Sequence, residues 1–301
     1  MTEPALWTYQ RERFPLSKTA PLLAVFSAAS ICASAVLAGR PLPGPGAYLA
    51  GFFIAMTLFF QMRVCDEVKD QGDDRRYRPD RPIPRGLVSL RLIVGLGVVS
   101  VPLTALAVWA WHPPALWLLA LVWGWLAAMT LEFGVPRWLK ARPIRYLLSH
   151  MAIMPLIDLL LTGLEWMPGG GAATGLWLFL VLSFVNGCVL EIGRKLWSPD
   201  HEIAGVDSYS GLWGPKRAAL IWCGCVLLSL GLLGGVGAAN AAMGISLVLG
   251  CAGAAVCCVA AAGYARSPDP AAEKRMDMLA GLWVFACYAI AGFAPVVQRV
   301  L

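Results

Sequence analysis

The sequence predicts an all-α membrane protein, a polytopic bundle of nine transmembrane helices. Of its 301 residues, 58% are hydrophobic and only 14% are charged, and the mean hydropathy is +0.67. Several apolar segments approach the length of about 20 residues that crosses a bilayer. We expect these segments to be helical, because a backbone within lipid must satisfy its own hydrogen bonds.

Nine apolar segments follow one another along the chain, and we number them in order. They cover about residues 20–39, 46–66, 87–110, 114–132, 144–166, 173–196, 216–238, 240–263 and 278–298. We expect them to form one domain over residues 1–301. Residues 1–18 combine charges with Trp7, Tyr9 and Phe14, which is typical of a segment that lies on the membrane surface.

The distribution of Lys and Arg predicts the orientation of the bundle. Of the 24 basic residues, 22 lie in the N-terminal segment or near the loops that follow segments 2, 4, 6 and 8. Because cytoplasmic loops carry the excess of Lys and Arg, we expect these loops and the N-terminus to be cytoplasmic, in a bacterial inner membrane. The net charge of +6 therefore reflects topology, and we expect no nucleic-acid partner.

An acidic cluster opens the first polar loop, which we define as residues 66–86. Five acids occur within the nine residues from Asp66 to Asp74. Asp66, Asp70 and Asp74 recur every fourth residue, which stacks their carboxylates on one face of a helix. Such oxygens are the ligands that Mg²⁺ prefers, usually together with phosphate oxygens. The pattern favours a metal site, and the alternative is a solvated acidic helix end.

Cations accompany these acids on the same side of the membrane. Prolines on both sides of Arg81 stiffen the first polar loop and would hold this guanidinium in place for anionic oxygens. The loop between segments 4 and 5 adds Lys140 and Arg142 beside Trp138. The alternative for each of these residues is an ordinary interfacial cation that follows the positive-inside rule.

The second polar loop, residues 191–214, begins at the inner end of segment 6. Glu191 and Asn186 lie near that end, five residues apart. An ionisable group at such a depth is a functional candidate by default. Loops of this length are usually functional when the other connections are short, so the second polar loop is a second candidate site.

The second polar loop offers both acids and cations to a ligand. Asp200 and Glu202 could hold a second metal ion. Arg194 and Lys195 could bind phosphate directly, the first as a bidentate fork and the second as a point charge. Alternatively, Glu191 pairs with Arg194 or Lys195 on the same helix end.

Asp158 lies well within segment 5. A carboxylate within the membrane is costly and should face the interior of the bundle. There it could bind an acceptor hydroxyl or stabilise a carbocation, or it could hydrogen-bond to a neighbouring helix.

These features together resemble the UbiA superfamily of intramembrane prenyltransferases over nearly the whole chain. The resemblance is carried by the nine segments, the two acidic loops, the Arg-Pro-Ile-Pro-Arg-Gly run at 81–86 and the Gly-Val-Asp-Ser-Tyr-Ser-Gly-Leu-Trp-Gly run at 205–214. The family's first motif is Asn-x-x-x-Asp-x-x-x-Asp. Two registers fit it here: Asp66, Asp70 and Asp74, or Met62, Asp66 and Asp70.

The resemblance implies a central cavity accessible to lipid and an Mg²⁺-dependent transfer of an isoprenyl group from an allylic diphosphate to an aromatic or other lipophilic acceptor. The implied metal ligands are Asp66, Asp70, Asp74, Glu191, Asp200 and Glu202. The implied diphosphate ligands are Arg81, Lys140, Arg142, Arg194 and Lys195. The implied catalytic residues are Asp66, Asp70, Asp158, Asn186 and Glu191.

Two other functions fit the same residues. A terpene cyclase of this superfamily would use the allylic diphosphate alone, without an acceptor. A non-catalytic membrane protein would bind lipid diphosphates without turnover. In each case the expected partners include membrane lipids and no obligate protein.

Overall fold

The computed structural model describes residues 4–300, with side chains to Gln298, and this part of the chain is helical with connecting turns. Residues 1–3 of the predicted interfacial segment and the side chain of Arg299 lie outside the described part. The α-helices are α1 (Ala5–Arg13), α2 (Leu16–Leu37), α3 (Pro45–Lys69), α4 (Gln71–Tyr77), α5 (Leu90–Trp111), α6 (Leu116–Thr130), α7 (Pro136–Lys140), α8 (Pro143–Met151), α9 (Ile153–Trp166), α10 (Leu176–Gly193), α11 (Tyr209–Trp213), α12 (Pro215–Ala239), α13 (Met243–Arg266) and α14 (Pro270–Val300).

Within residues 4–300, nine helical stretches are long and apolar enough to cross a membrane, which confirms the predicted fold class. The boundaries differ in places for local reasons. Segment 5 is broken into α8 and α9 at Ala152, because Pro155 has no N–H and its ring clashes with the carbonyl of Met151. The last helix begins at Pro270, well before the predicted boundary. The Asp269 carboxylate accepts the Ala272 N–H at 2.8 Å and so caps this end.

The core of the bundle lies where α2, α9, α10 and α14 pack against one another, with α3, α5 and α6 on one side and α12 and α13 on the other. Close approach of α14 to α2 depends on Gly292, since a Cβ there would collide with the backbone of Ala29. The exposed apolar side chains of α5, α12 and α13, such as Val98, Leu220 and Val259, face outward. Such a surface suits contact with lipid.

The polar loops gather at one end of the bundle. An ion pair of 2.8 Å joins Glu12, in α1, to Arg85 of the first polar loop. The second polar loop is joined to the start of α14, because the Glu273 carboxylate accepts the backbone N–H of Ser198 at 2.8 Å. The two polar loops lie at the same end, as the sequence predicts, since Gly205 of the second packs against Tyr77 of the first.

The opposite end is fastened by a buried ion pair. Arg40 donates Nε and Nη2 to the two carboxylate oxygens of Glu165, at 2.6 and 2.9 Å. Ser34 donates its hydroxyl to the same carboxylate at 2.6 Å, and the pKa of Arg40 is raised, chiefly by its hydrogen bonds with Glu165. This cluster ties the end of α2 to the end of α9.

We expect Arg40→Ala to destabilise the bundle by about 3 kcal/mol, because it leaves the Glu165 carboxylate buried without its cation. Thermal unfolding of the detergent-solubilised protein measures the effect. The double variant Arg40→Met/Glu165→Leu removes both charges and should regain most of the loss. An unchanged melting temperature for Arg40→Ala would show that the pair contributes nothing.

Candidate active site

The three predicted aspartates occupy different environments at the end of α3. Asp66 lies within the last turn of α3, and its side chain is 48% exposed. Asp70 follows the helix end. Burial raises the pKa of Asp70, and its neighbours Asp66 and Asp74 raise it further, while Lys69 opposes them. In the described part of the chain, no ion pair engages Asp70, so its carboxylate is available to a ligand.

Asp74 is buried within the first polar loop. Both of its oxygens accept hydrogen bonds from Arg81 Nη1 at 2.7 Å, and Arg78 Nη1 lies 3.4 Å from Oδ1. Burial lowers the pKa of the Arg81 guanidinium, and its hydrogen bonds with Asp74 oppose this. In this structure, therefore, the expected metal ligand Asp74 and the expected diphosphate ligand Arg81 neutralise each other.

A small cavity of about 30 Å³ adjoins Asp66. Its lining combines apolar side chains with polar groups from three helices: Met62, Cys65, Asp66, Lys69, Leu126, Met129, Thr130 and His150. A cavity of this size has room for only a few water molecules. An isoprenoid chain would therefore require lining side chains to move, and Met62 and Met129 are flexible enough to do so.

Glu191 at the end of α10 is held by two cations of its own helix end. Arg194 Nη2 lies 2.6 Å and Lys195 Nζ 2.9 Å from its carboxylate oxygens. The alternative considered for Glu191 thus describes this structure. The negative charge of Glu191 raises the pKa of Arg194, and Asp66 raises it further.

The two polar loops meet. The negative charge of Asp66, at the end of α3, raises the pKa of Arg194, at the end of α10. Gly205 of the second polar loop packs against Tyr77 of the first, so closely that a Cβ at Gly205 would collide with the phenol ring. Its φ of +86° also favours glycine. The acids and cations of both loops therefore surround one region.

Of the later acids of the second polar loop, Glu202 holds that loop together. Glu202 accepts hydrogen bonds from the hydroxyls of Ser208 and Ser210, at 2.6 and 2.8 Å. Asp200 lies exposed on a single 3₁₀ turn. Over residues 4–298, no three His, Cys, Asp or Glu side chains converge as a metal site.

The donor set nevertheless fits one Mg²⁺ ion. Asp66, which lines the cavity, and Asp70, which follows it by one helical turn, offer carboxylate oxygens. Asp66 has one long ion pair, with Arg63 Nη1 at 3.5 Å from its Oδ2, and Asp70 has none among the described residues. Mg²⁺ is usually bound by one or two carboxylates together with phosphate oxygens and water. These two residues are therefore sufficient as the protein's share of such a site.

Lys140 and Arg142 lie at the rim. Lys140 is exposed, with its Nζ 3.9 Å from Asp73. The Arg142 guanidinium stacks on Trp138 at 4.6 Å.

Asn186 and Asp158 lie deep within the bundle and link helices. Asp158 accepts hydrogen bonds from Ser30 and Tyr288, each at 2.6 Å, so its contacts favour the alternative of a link between helices. Asn186 accepts the Ser229 hydroxyl at 2.7 Å. Its amide nitrogen is buried and has no hydrogen-bond partner among the described residues.

Sequence reasoning missed several residues of this region. Lys69 donates to the Tyr146 hydroxyl at 2.7 Å, and the Tyr146 ring stacks on His150 at 3.9 Å. The available signal was the spacing of Tyr146 and His150, which lie four residues apart and so share one face of α8.

Comparison with known proteins identifies the fold and the family. The family model described as the UbiA prenyltransferase family matches residues 24–293. The apo structure of a UbiA homolog from Aeropyrum pernix K1 has a TM-score of 0.69 at 15% identity, over 92% of this chain and 98% of that chain. No curated protein matches the sequence significantly.

A second solved structure is similar along its whole length. It is described as giving structural and mechanistic insights into the biosynthesis of digeranylgeranylglyceryl phosphate synthase in membranes. Its TM-score is 0.59 at 15% identity, over 96% of this chain and 99% of that chain. At such identities the likeness shows a shared fold.

Proposed function

Because the chain belongs to the UbiA prenyltransferase family, we propose that it moves an isoprenyl group from an allylic diphosphate to a lipophilic acceptor, and that Mg²⁺ is required. The protein is an intramembrane prenyltransferase. Beyond that family membership, we propose the metal ion, the donor and the residues that bind them.

One observation carries the proposal: the acidic end of α3 and the cationic end of α10 face each other across one region. Gly205 of the second polar loop packs against Tyr77 of the first, and Asp66 is near enough to Arg194 for its charge to raise the pKa of that guanidinium. A ligand that bears a diphosphate and a bound cation matches this pairing, since the carboxylates suit the cation and the guanidinium suits phosphate oxygens.

Binding would exchange ion pairs rather than create charge. At present Glu191 neutralises Arg194 and Lys195, and Asp74 neutralises Arg81. A bound metal diphosphate offers each carboxylate a cation and each cation an anion. Only the Glu191 and Asp74 carboxylates are buried among these ions, and their desolvation is already part of the folded state, so this exchange adds little further cost.

The residues then divide the work of ionising the donor. Asp66 and Asp70 would hold Mg²⁺, which when bound neutralises charge on the leaving diphosphate. Arg194 and Lys195 would contact the leaving oxygens as they gain charge. Apolar side chains around Asp66, such as Met62 and Leu126, would keep water from the allylic cation.

The remaining predicted residues take supporting roles in this proposal. Lys140 and Arg142 would capture the diphosphate at the rim, and Arg81 would do so after leaving Asp74. Glu191, Asp200 and Glu202 would provide ligands for a second metal ion only if Glu191 and Glu202 release their present contacts. Asp158 and Asn186 would line the tail's path through the bundle. The polar loops would face the cytoplasm of a bacterial cell, in accordance with the charge bias.

The test is a turnover assay on protein purified in detergent, with geranyl, farnesyl and geranylgeranyl diphosphates, with and without an aromatic or alcohol acceptor. We expect diphosphate release that stops when EDTA removes Mg²⁺, and a prenylated product only with an acceptor. A cyclic hydrocarbon formed without acceptor would instead indicate a cyclase. Binding of diphosphate without turnover would indicate a carrier.

A further inference from the structure

A strained turn follows α6 and directs a carboxylate into the protein. Three consecutive residues, Glu132, Phe133 and Gly134, have φ values of +50°, +53° and +73°. Only the glycine adopts this conformation without strain. Phe133 anchors the turn, since its ring packs edge-on against Trp125 at 5.3 Å. The result is that Glu132 points inward while its neighbour Leu131 is 71% exposed.

The Glu132 carboxylate is poorly satisfied where it lies. Its side chain is only 6% exposed, and neither oxygen has a hydrogen-bond partner among the described residues. A buried carboxylate without hydrogen bonds destabilises the fold. Its charged neighbour is Lys69, whose Nζ lies 3.7 Å from Oε1. This distance is too long for a hydrogen bond, so the contact acts through charge.

Lys69 has donors to spare beside the cavity. An ammonium group has three N–H donors, and the contacts described for Lys69 use one of them, for the Tyr146 hydroxyl. Lys69 lines the same small cavity as Asp66. By contrast, Arg194 and Lys195 are engaged by Glu191 at 2.6 and 2.9 Å.

We propose that Lys69 is a further diphosphate-binding cation of the site, and that Glu132 is the buried positioning residue that holds its ammonium group at the cavity. Tyr146 fixes the ammonium from one side and Glu132 attracts it from another. The remaining N–H donors are left for phosphate oxygens beside Asp66. This inference rests on the proposed function, and the experiment below separates the two.

The test is a double-mutant cycle on the binding of inorganic diphosphate at fixed MgCl₂, measured by calorimetry on the purified protein. We expect Lys69→Met to weaken binding about tenfold or more and Glu132→Gln to weaken it about fivefold. In the Lys69→Met background, Glu132→Gln should have no further effect, since the residue acts through Lys69. Asp277→Asn, which removes an exposed carboxylate of α14 outside the cavity lining, is the control and should leave binding unchanged.

The sign of the Glu132→Gln effect distinguishes positioning from simple charge. Removing a nearby negative charge would by itself strengthen the binding of an anion. Tighter binding by Glu132→Gln, unchanged binding by Lys69→Met, or independent effects of the two substitutions would overturn the inference. Wild-type protein that binds no diphosphate would overturn the proposed function as well.

A measurement on the unaltered protein guards against variants that fold poorly. Reductive methylation of lysines, quantified by mass spectrometry, should be slowed at Lys69 when MgCl₂ and inorganic diphosphate are present. The exposed Lys216 of α12 is the internal reference and should be labelled at the same rate in both conditions. Equal labelling of Lys69 with and without diphosphate would contradict its role as a ligand.

Discussion

Asp70→Asn is expected to reduce turnover by about 100-fold, which corresponds to about 3 kcal/mol of lost transition-state stabilisation. Asp70 lies at the end of α3, one helical turn beyond Asp66, and no ion pair in the described part of the chain engages it. Asparagine keeps the size of the side chain and removes the charge that would bind Mg²⁺. Steady-state assays with an allylic diphosphate at saturating Mg²⁺ measure the change.

The stability of this variant separates catalysis from folding. Because Asp70 has no salt-bridge partner to lose, and because burial and the neighbouring acids disfavour its charge, the melting temperature should not fall. Asp80→Asn is the matched control: it removes an exposed acid of the same loop and should retain wild-type turnover. If Asp70→Asn turned over like wild type, the proposed metal site at Asp66 and Asp70 would be wrong.

The sequence predicts those parts of the fold that depend on composition and local pattern. Apolar length gives the nine helices, and the resemblance to the UbiA superfamily is confirmed by the match over residues 24–293. Pro155 explains the break in segment 5 but does not predict it, because a proline within an apolar run kinks some membrane helices and ends others. Residue type alone does not distinguish these outcomes.

The partners of the charged residues depend on tertiary structure. The ion pairs of Glu191 with Arg194 and Lys195 could be predicted, since these cations lie three and four residues after Glu191 on one helix end. The ion pair of Asp74 with Arg81 could not be predicted, because a turn of the first polar loop brings the two residues together. The sequence places Glu132 at the end of an apolar segment. Its left-handed backbone could not be predicted, because glutamate rarely adopts that conformation.

A consequence of this pairing is that most site carboxylates and cations are already occupied by each other. The exceptions with unused capacity are Asp66 and Lys69, which line the cavity, and Asp70, which has no ion pair among the described residues. The geometry of the loops is therefore as important as their composition. Their mutual contact decides whether the α3 acids and the α10 cations can act on one ligand.

Gly205→Val tests that contact and is expected to lower kcat/KM by at least about tenfold, or about 1.4 kcal/mol. The new side chain would collide with Tyr77 and separate the second polar loop from the first. The nine-helix bundle should keep its melting temperature, because the contact lies outside the membrane-spanning helices. Trypsin should cleave faster after the exposed Arg75 and Arg76 once the loops separate.

Gly86→Val is the matched control for backbone strain. Gly86 also has a positive φ, +75°, but a Cβ there meets no atom within 4 Å. Both substitutions place a β-branched residue in the left-handed region, and only the change at Gly205 also disrupts the contact between the loops. If the two variants lost activity equally, backbone strain would explain the loss. If Gly205→Val kept full activity, the α3 and α10 ends would act without the loop contact, and the proposed shared site would have to be held by the helices alone.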